Sequence, residues 1–149
     1  MSSAFTGKGK VQIAFRGDTA LLRIDAVTTQ TRKLQKLIRE FCRKEVALIR
    51  PWYGPFHVHI WTSIMQEKRG FHDVDNIAKA CLDALNGVFW RDDRQIVQLT
   101  SEKFNGDANR IAILVEPLEK PLSPRPLDLT LFDTLSDEYH NDSGRKNTP

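Results

Sequence analysis

The chain has 149 residues, 40% hydrophobic and 28% charged, proportions that fit one soluble globular domain with a single core. No apolar run approaches the roughly 20 residues of a membrane span, and the start "MSSAFTGKGK" lacks the apolar stretch of a secretory signal. The formal net charge of +3 divides into +5 for residues 1–116 (18 Lys+Arg, 13 Asp+Glu) and −2 for 117–149 (4 against 6). A basic body is compatible with nucleic acid, although charge alone does not establish it.

The first predicted element is a strand in "KVQIAFRG", where Val11, Ile13 and Phe15 alternate with polar partners. "TALLRIDA" is its hairpin partner across a Gly17-Asp18 turn. In "TTQTRKLQKLIREFCRKEVALIR", the spacing of Leu34, Leu37, Ile38, Phe41, Cys42 and Leu48 predicts an amphipathic helix, capped by Thr28 or Thr29 and stopped by Pro51. Its opposite face carries Arg32, Lys36, Arg39 and Arg43. Such a row is usually a solvated helix face; the alternative is phosphate contact.

"PFHVHIWTSI" reads as a strand with Phe56, Val58 and Ile60 on one face and His57, His59 and Trp61 on the other. An H-x-H pair can ligate zinc, but no third ligand follows at a recognisable spacing, so a half-covered sheet face is the better reading. The basic loop "QEKRG", with Lys68 and Arg69, leads into "DVDNIAKACLDALNGVFWRDD". There Ala78, Cys81, Leu82 and Leu85 make a helical stripe, Asp73 or Asp75 suits the N-cap, and Gly87 suits the position after the C-cap. "QIVQLTSEKF" and "NRIAILVEP" are strands, with "NGD" as the hairpin turn between them. Cys42 and Cys81 fall in helical apolar patterns and read as reduced core residues in a reducing cytoplasm. The predicted fold is α+β: a single domain over residues 1–116, with a mixed sheet of four to five strands packed against two main helices. Residues 117–149, Pro-rich and then polar and acidic, read as an extended or disordered tail.

The acidic stretch admits two readings. D-x-D before a helix is commonly a cap, and "RDDRQ" before a strand is commonly turn chemistry; Asp83 reads as a solvent or salt-bridge residue. The other reading joins both ends into one site. A helix from Asn76 to Asn86 is about 15 Å long, and the seven residues to Asp93 reach about 23 Å. The connection can therefore run back along the helix and bring Asp92 and Asp93 beside Asp73 and Asp75, with Lys79 one turn after Asp75. Gathered carboxylates repel unless a cation offsets them. Oxygen donors without thiolates select Mg²⁺, with Mn²⁺ as a substitute. A carboxylate-held Mg²⁺ that also binds substrate phosphate suits phosphodiester hydrolysis. Lys79 would then steady charge on the phosphate, and the helix N-terminus favours an anion there.

"DVDNIAKACLDALNGVFWRDDRQIV" closely resembles the core motif of the RusA family of Holliday junction resolvases: D-x-D-N, a lysine three residues after the Asn, a "DALNG"-like helix end, then D-D-x-Q-I. The resemblance runs in register over about 25 residues, and the order of elements from Lys10 to Glu116 is similar to the family's. It implies that Asp73, Asp75, Asp93 and Lys79 are catalytic, that the three aspartates bind Mg²⁺ with Asp92 as an acidic neighbour, and that Asn76 is mainly structural. It also implies a homodimer cutting a four-way DNA junction by paired symmetric incisions, in a bacterial or phage-encoded cytoplasmic protein with no membrane partner. Lys68, Arg69, Lys79, Arg91 and Arg94, with the Arg32–Arg43 row, would hold the DNA backbone. The chain departs from the family pattern in having no proline before Pro51, and the resemblance stops short of residues 117–149. Three rivals stand beside this reading: a non-catalytic basic DNA-binding or replication accessory protein whose carboxylates are caps, a nuclease for flaps, forks or RNA, and a small-molecule phosphohydrolase.

Overall fold

The structure is a computed structural model that describes residues 5–7, 9–25, 31–46, 52–65 and 73–134. Thr28, Thr29, Leu48, Pro51 and the basic pair Lys68 and Arg69 lie outside the described residues. The elements run β1 (Val11–Arg16), β2 (Thr19–Ile24), α1 (Thr31–Glu45), β3 (Phe56–Ile64), α2 (Val74–Leu85), a 3-10 turn (Asp93–Gln95), β4 (Ile96–Asn105) and β5 (Arg110–Pro117).

The β1–β2 hairpin closes across Gly17 and Asp18, with Arg16 opposite Thr19. Gly17 has a φ of 58°, a left-handed conformation that glycine adopts without steric cost. The sheet order is β1-β2-β5-β3-β4, and only the β3–β4 pair is parallel. The sheet is therefore mixed, and the domain is α+β with two main helices. One pairing differs from the sequence expectation: β4 and β5 form no hairpin, because β3 lies between them. A parallel neighbour needs a long crossover, and α2 supplies it between β3 and β4. The chain from β4 to β5 instead passes over the end of β3. There the Gly106 N–H donates to the Ile64 carbonyl at 2.9 Å, Ser63 Oγ donates to the Ala108 carbonyl at 2.7 Å, and the Met65 N–H donates to Asn109 Oδ1 at 2.9 Å.

Alternation along the strands buries one sheet face: Val11 and Ile13, Leu22 and Ile24, Phe56, Val58 and Ile60, and Ile111, Ile113 and Val115. Both helices contribute to the core, α1 through Leu34, Ile38 and Cys42 and α2 through Ile77, Ala78, Ala80, Cys81, Ala84 and Leu85. Each large apolar side chain so buried contributes about 1.5–3 kcal/mol. The small residues on the buried face of α2 leave room for close approach. Its end is set by Gly87 (φ 83°), whose N–H donates to the Trp90 carbonyl at 2.7 Å. That tight turn seats Trp90 in the core, fully buried, with its ring 5.5 Å from Phe56.

On the other sheet face His57, His59 and Trp61 are half-buried; His59 stacks on Trp61 at 3.8 Å and meets Glu102 at 2.5 Å. Beyond β5, the Leu118 N–H donates to the Pro55 carbonyl at 2.8 Å, and residues 119–134 are exposed. Asp128 Oδ1 accepts from the Thr130 N–H and Oγ1 at 2.9 and 2.6 Å, which caps a helical turn over 130–134 and holds the Asp128 carboxyl below its ordinary range. No described helix is long and apolar enough to cross a membrane.

Candidate active site

Asp73 occupies the N-cap position of α2 in extended conformation, yet its side chain makes no capping hydrogen bond. Asp75 follows in the first turn, where Oδ1 accepts from the Asn76 N–H at 3.0 Å. Both are exposed. The helix dipole and the unpaired N–H groups of this turn favour an anionic neighbour. Lys79 is exposed one turn after Asp75, and among the described residues its ammonium forms no ion pair with a carboxylate. Asp83 comes one turn later on the same face.

The second acidic pair separates into two roles. Asp92 caps the 3-10 turn: Oδ1 accepts from the Arg94 N–H at 2.9 Å and Oδ2 from Arg94 Nη2 at 3.0 Å. The Arg94 guanidinium holds the Asp92 carboxyl below the usual carboxylate range and is itself raised by it. Asp93 turns toward Trp90. Its Oδ1 accepts from Trp90 Nε1 at 2.8 Å, so a fully buried indole fixes an exposed carboxylate. Gln95 closes the box from the other side, its Oε1 accepting from the N–H groups of Arg91 and Asp92 at 2.8 and 3.1 Å.

α2 and β4 enclose a cleft of about 420 Å³ lined by Asp75, Lys79, Asp83 and Asp93, with Val74, Ala78, Leu82, Leu99 and Ser101 completing the walls. Three of the four expected catalytic residues share this cleft; Asp73 and Asp92 are not among its lining residues. The route that joins the ends differs from the expected one. The chain after α2 turns tightly at 86–90, and β4 itself runs along the helix, with Ser101 Oγ donating to the Val74 carbonyl at 3.3 Å. Ser101 lies five residues into β4, roughly 17 Å along a strand from Ile96, so Asp75 and Asp93 stand toward opposite ends of the cleft. Among the described residues no three His, Cys, Asp or Glu side chains are grouped closely enough to hold a metal ion. The donor chemistry still fits a hard cation: oxygens without thiolate or imidazole, for an ion that keeps several waters and takes only one or two carboxylates.

The basic residues divide by geometry. Arg91 lies over the Tyr53 ring, its guanidinium carbon 4.9 Å from the centroid. Arg94 is paired with Asp92, while Arg32, Lys36 and Arg43 are exposed on α1, Lys36 meeting Glu40 at 3.9 Å. Arg39 departs from the expected solvated row: half-buried, it donates from Nη2 to the Asp83 carbonyl at 2.7 Å and ties α1 to α2. Sequence reasoning overlooked Gln95, Trp90, Ser101 and the cleft position of Asp83. The motif glutamine was visible, but its partners Trp52 and Gly54 lie more than 40 residues away in the chain.

A basic α+β domain with acidic residues and a lysine in one cleft defines the class: a candidate enzyme of phosphoryl chemistry. A family model for the endodeoxyribonuclease RusA matches residues 8–116. The chain belongs to that family, whose activity is endonucleolytic resolution of Holliday junctions. No curated protein matches the chain. Among solved structures, the chain is similar to the OmpA-like domain of FopA1 from Francisella tularensis subsp. tularensis SCHU S4, with 13% identity over 82% of this chain and 87% of that one; the TM-score of 0.35 is too low to bear on fold or function.

Proposed function

We propose that this protein is a Mg²⁺-dependent endonuclease that resolves four-way DNA junctions by paired symmetric cleavage, acting as a homodimer. The observation that carries the reading is the common cleft of Asp75, Lys79 and Asp93, on a chain whose family cuts such junctions. Asp73 and Asp75 would hold the ion at the start of α2, Mn²⁺ substituting for Mg²⁺, and Asp93 would serve the same reaction from the other end of the cleft. Bound there, the ion would polarise a phosphoryl oxygen and lower the pKa of a coordinated water. Lys79 supplies positive charge beside the scissile phosphate. Trp90 keeps the Asp93 carboxylate from rotating, with its second oxygen left for the site. Lys68, Arg69, Arg91 and Arg94, with Arg32, Lys36 and Arg43, contact phosphates and so read branch shape more than base sequence. A junction is close to two-fold symmetric, and an isologous dimer places one such site on each of two strands.

A second reading has an observation of its own. Asp92 is spent on a cap, as a non-catalytic DNA-binding module would have it. The two readings separate on one assay: labelled four-way junction, flap and plain duplex, each with and without Mg²⁺. Paired incisions confined to the junction and dependent on the metal support the proposal. Metal-independent binding without nicking supports the module, and preferred cutting of the flap moves the substrate to other branched DNA.

A further inference from the structure

Trp52 and Tyr53 are adjacent aromatic residues outside the regular elements, and both face solvent, at 47% and 71% exposure. Large aromatic rings normally bury their area in a core or an interface. These two are instead held outward by a built frame. The Trp52 N–H donates to the Phe89 carbonyl at 2.8 Å, and Gln95 Nε2 donates to the carbonyls of Trp52 and Gly54 at 2.6 and 2.9 Å. A methyl group at Gly54 would run into the Trp52 indole nitrogen, so the ring packs against that glycine. The Arg91 guanidinium covers the Tyr53 ring at 4.9 Å. The same Gln95 accepts from the N–H groups of Arg91 and Asp92, two links of the turn that carries Asp93. One glutamine thus links the backbone under the aromatic pair to the turn that carries Asp93.

We infer that Trp52 and Tyr53 form a base-stacking site at the Asp93 end of the cleft, which takes a nucleobase unstacked at the branch point of DNA. The inference rests on the junction-nuclease reading and adds to it a contact that senses interrupted stacking. A plain duplex keeps its bases stacked and offers no free π-face, whereas the centre of a branched molecule does. Stacking on an aromatic side chain is tolerant of base identity, which suits recognition of shape. Arg91 carries the positive charge for the phosphate next to the stacked base and meets the ring from its other side.

The test uses the full chain in EDTA with a four-way junction carrying 2-aminopurine at the branch point. Wild type changes the 2-aminopurine fluorescence on binding; a Trp52→Ala/Tyr53→Ala variant loses that change and binds the junction about tenfold or more weakly, with duplex binding unchanged. Tyr53 is exposed enough that Tyr53→Leu and Tyr53→Phe keep the fold, so they cover the case in which the double variant unfolds. The phenylalanine retains the signal and the leucine weakens it. An unchanged signal in Tyr53→Leu and the double variant, with wild type cutting the same junction in a parallel reaction with Mg²⁺, overturns the stacking site and leaves the nuclease reading standing. Wild type that neither binds the junction in EDTA nor cuts it with Mg²⁺ overturns both.

Discussion

A side chain's role here depends on where its hydrogen bonds are spent. Asp92 gives both oxygens to Arg94 and belongs to the turn; Asp93 gives one to a buried indole and keeps the other. Asp73 sits at an N-cap without capping, which an aspartate selected for helix stability would not do. Asp75→Asn should therefore remove junction cleavage while leaving junction binding nearly intact; loss of both together would indicate misfolding. In EDTA the melting temperature of that variant should be unchanged or higher, since one repelling charge is gone, and a clear drop would make Asp75 a structural cap. Trp90→Phe should keep the fold but release Asp93, lowering cleavage by about 10- to 100-fold at constant junction affinity, as removal of a group that orients a site residue typically does. An equal loss of affinity and cleavage would argue against that role.

At the scale of elements, local signals were legible in the sequence and remote partners were not. Gly17 and Gly87 sit at positive φ where turn chemistry placed them, and the apolar stripes of both helices face the core. The Asn105-Gly106-Asp107 turn misled because a short turn usually joins paired strands, whereas here β3 had already taken the place beside β5. Arg39 looked solvated because its spacing matches Arg32, Lys36 and Arg43, and nothing local announces the Asp83 carbonyl 44 residues away. Similarly, carboxylates grouped within a short stretch did show one cleft, but not that β4 would run along α2 and spread Asp75 and Asp93 toward its two ends. The helix cores carry a pH dependence. Burial pushes the Cys42 and Cys81 thiols up from 9.0 to about 12, so the folded chain holds these protons more tightly than the unfolded chain. That contribution is complete below about pH 9 and is lost as pH rises toward 12. The melting temperature should fall as pH rises from 9 to 10.5, less steeply in Cys81→Ala. Rapid alkylation of native thiols by iodoacetamide at pH 8 would contradict it.

Across the whole molecule, charge is divided between a basic body at +5 and a tail at −2. A polyanion is attracted to the first and repelled by the second, so the proposed DNA contacts are placed within residues 1–116. Among the described residues the tail is tied to the body by the Leu118 backbone N–H, and Leu127, Leu129 and Phe132 stand 88%, 78% and 68% exposed. Deleting residues after 119 should leave melting temperature and junction cleavage within twofold of the full chain, and binding by either form should weaken steeply with salt. A truncated chain that no longer folds would place the tail inside the domain, and a flat salt response would remove DNA as the partner.

In the proposed mechanism, the carboxylates at the two ends of the cleft serve one reaction. Groups that act as a unit lose activity non-additively. Single-turnover cleavage of a four-way junction with Mg²⁺ should fall by about 10³-fold or more in Asp75→Asn and in Asp93→Asn, and no further in the double variant. A single variant that still cuts at the wild-type rate, or two losses that multiply, would show that Asp75 and Asp93 do not share a site.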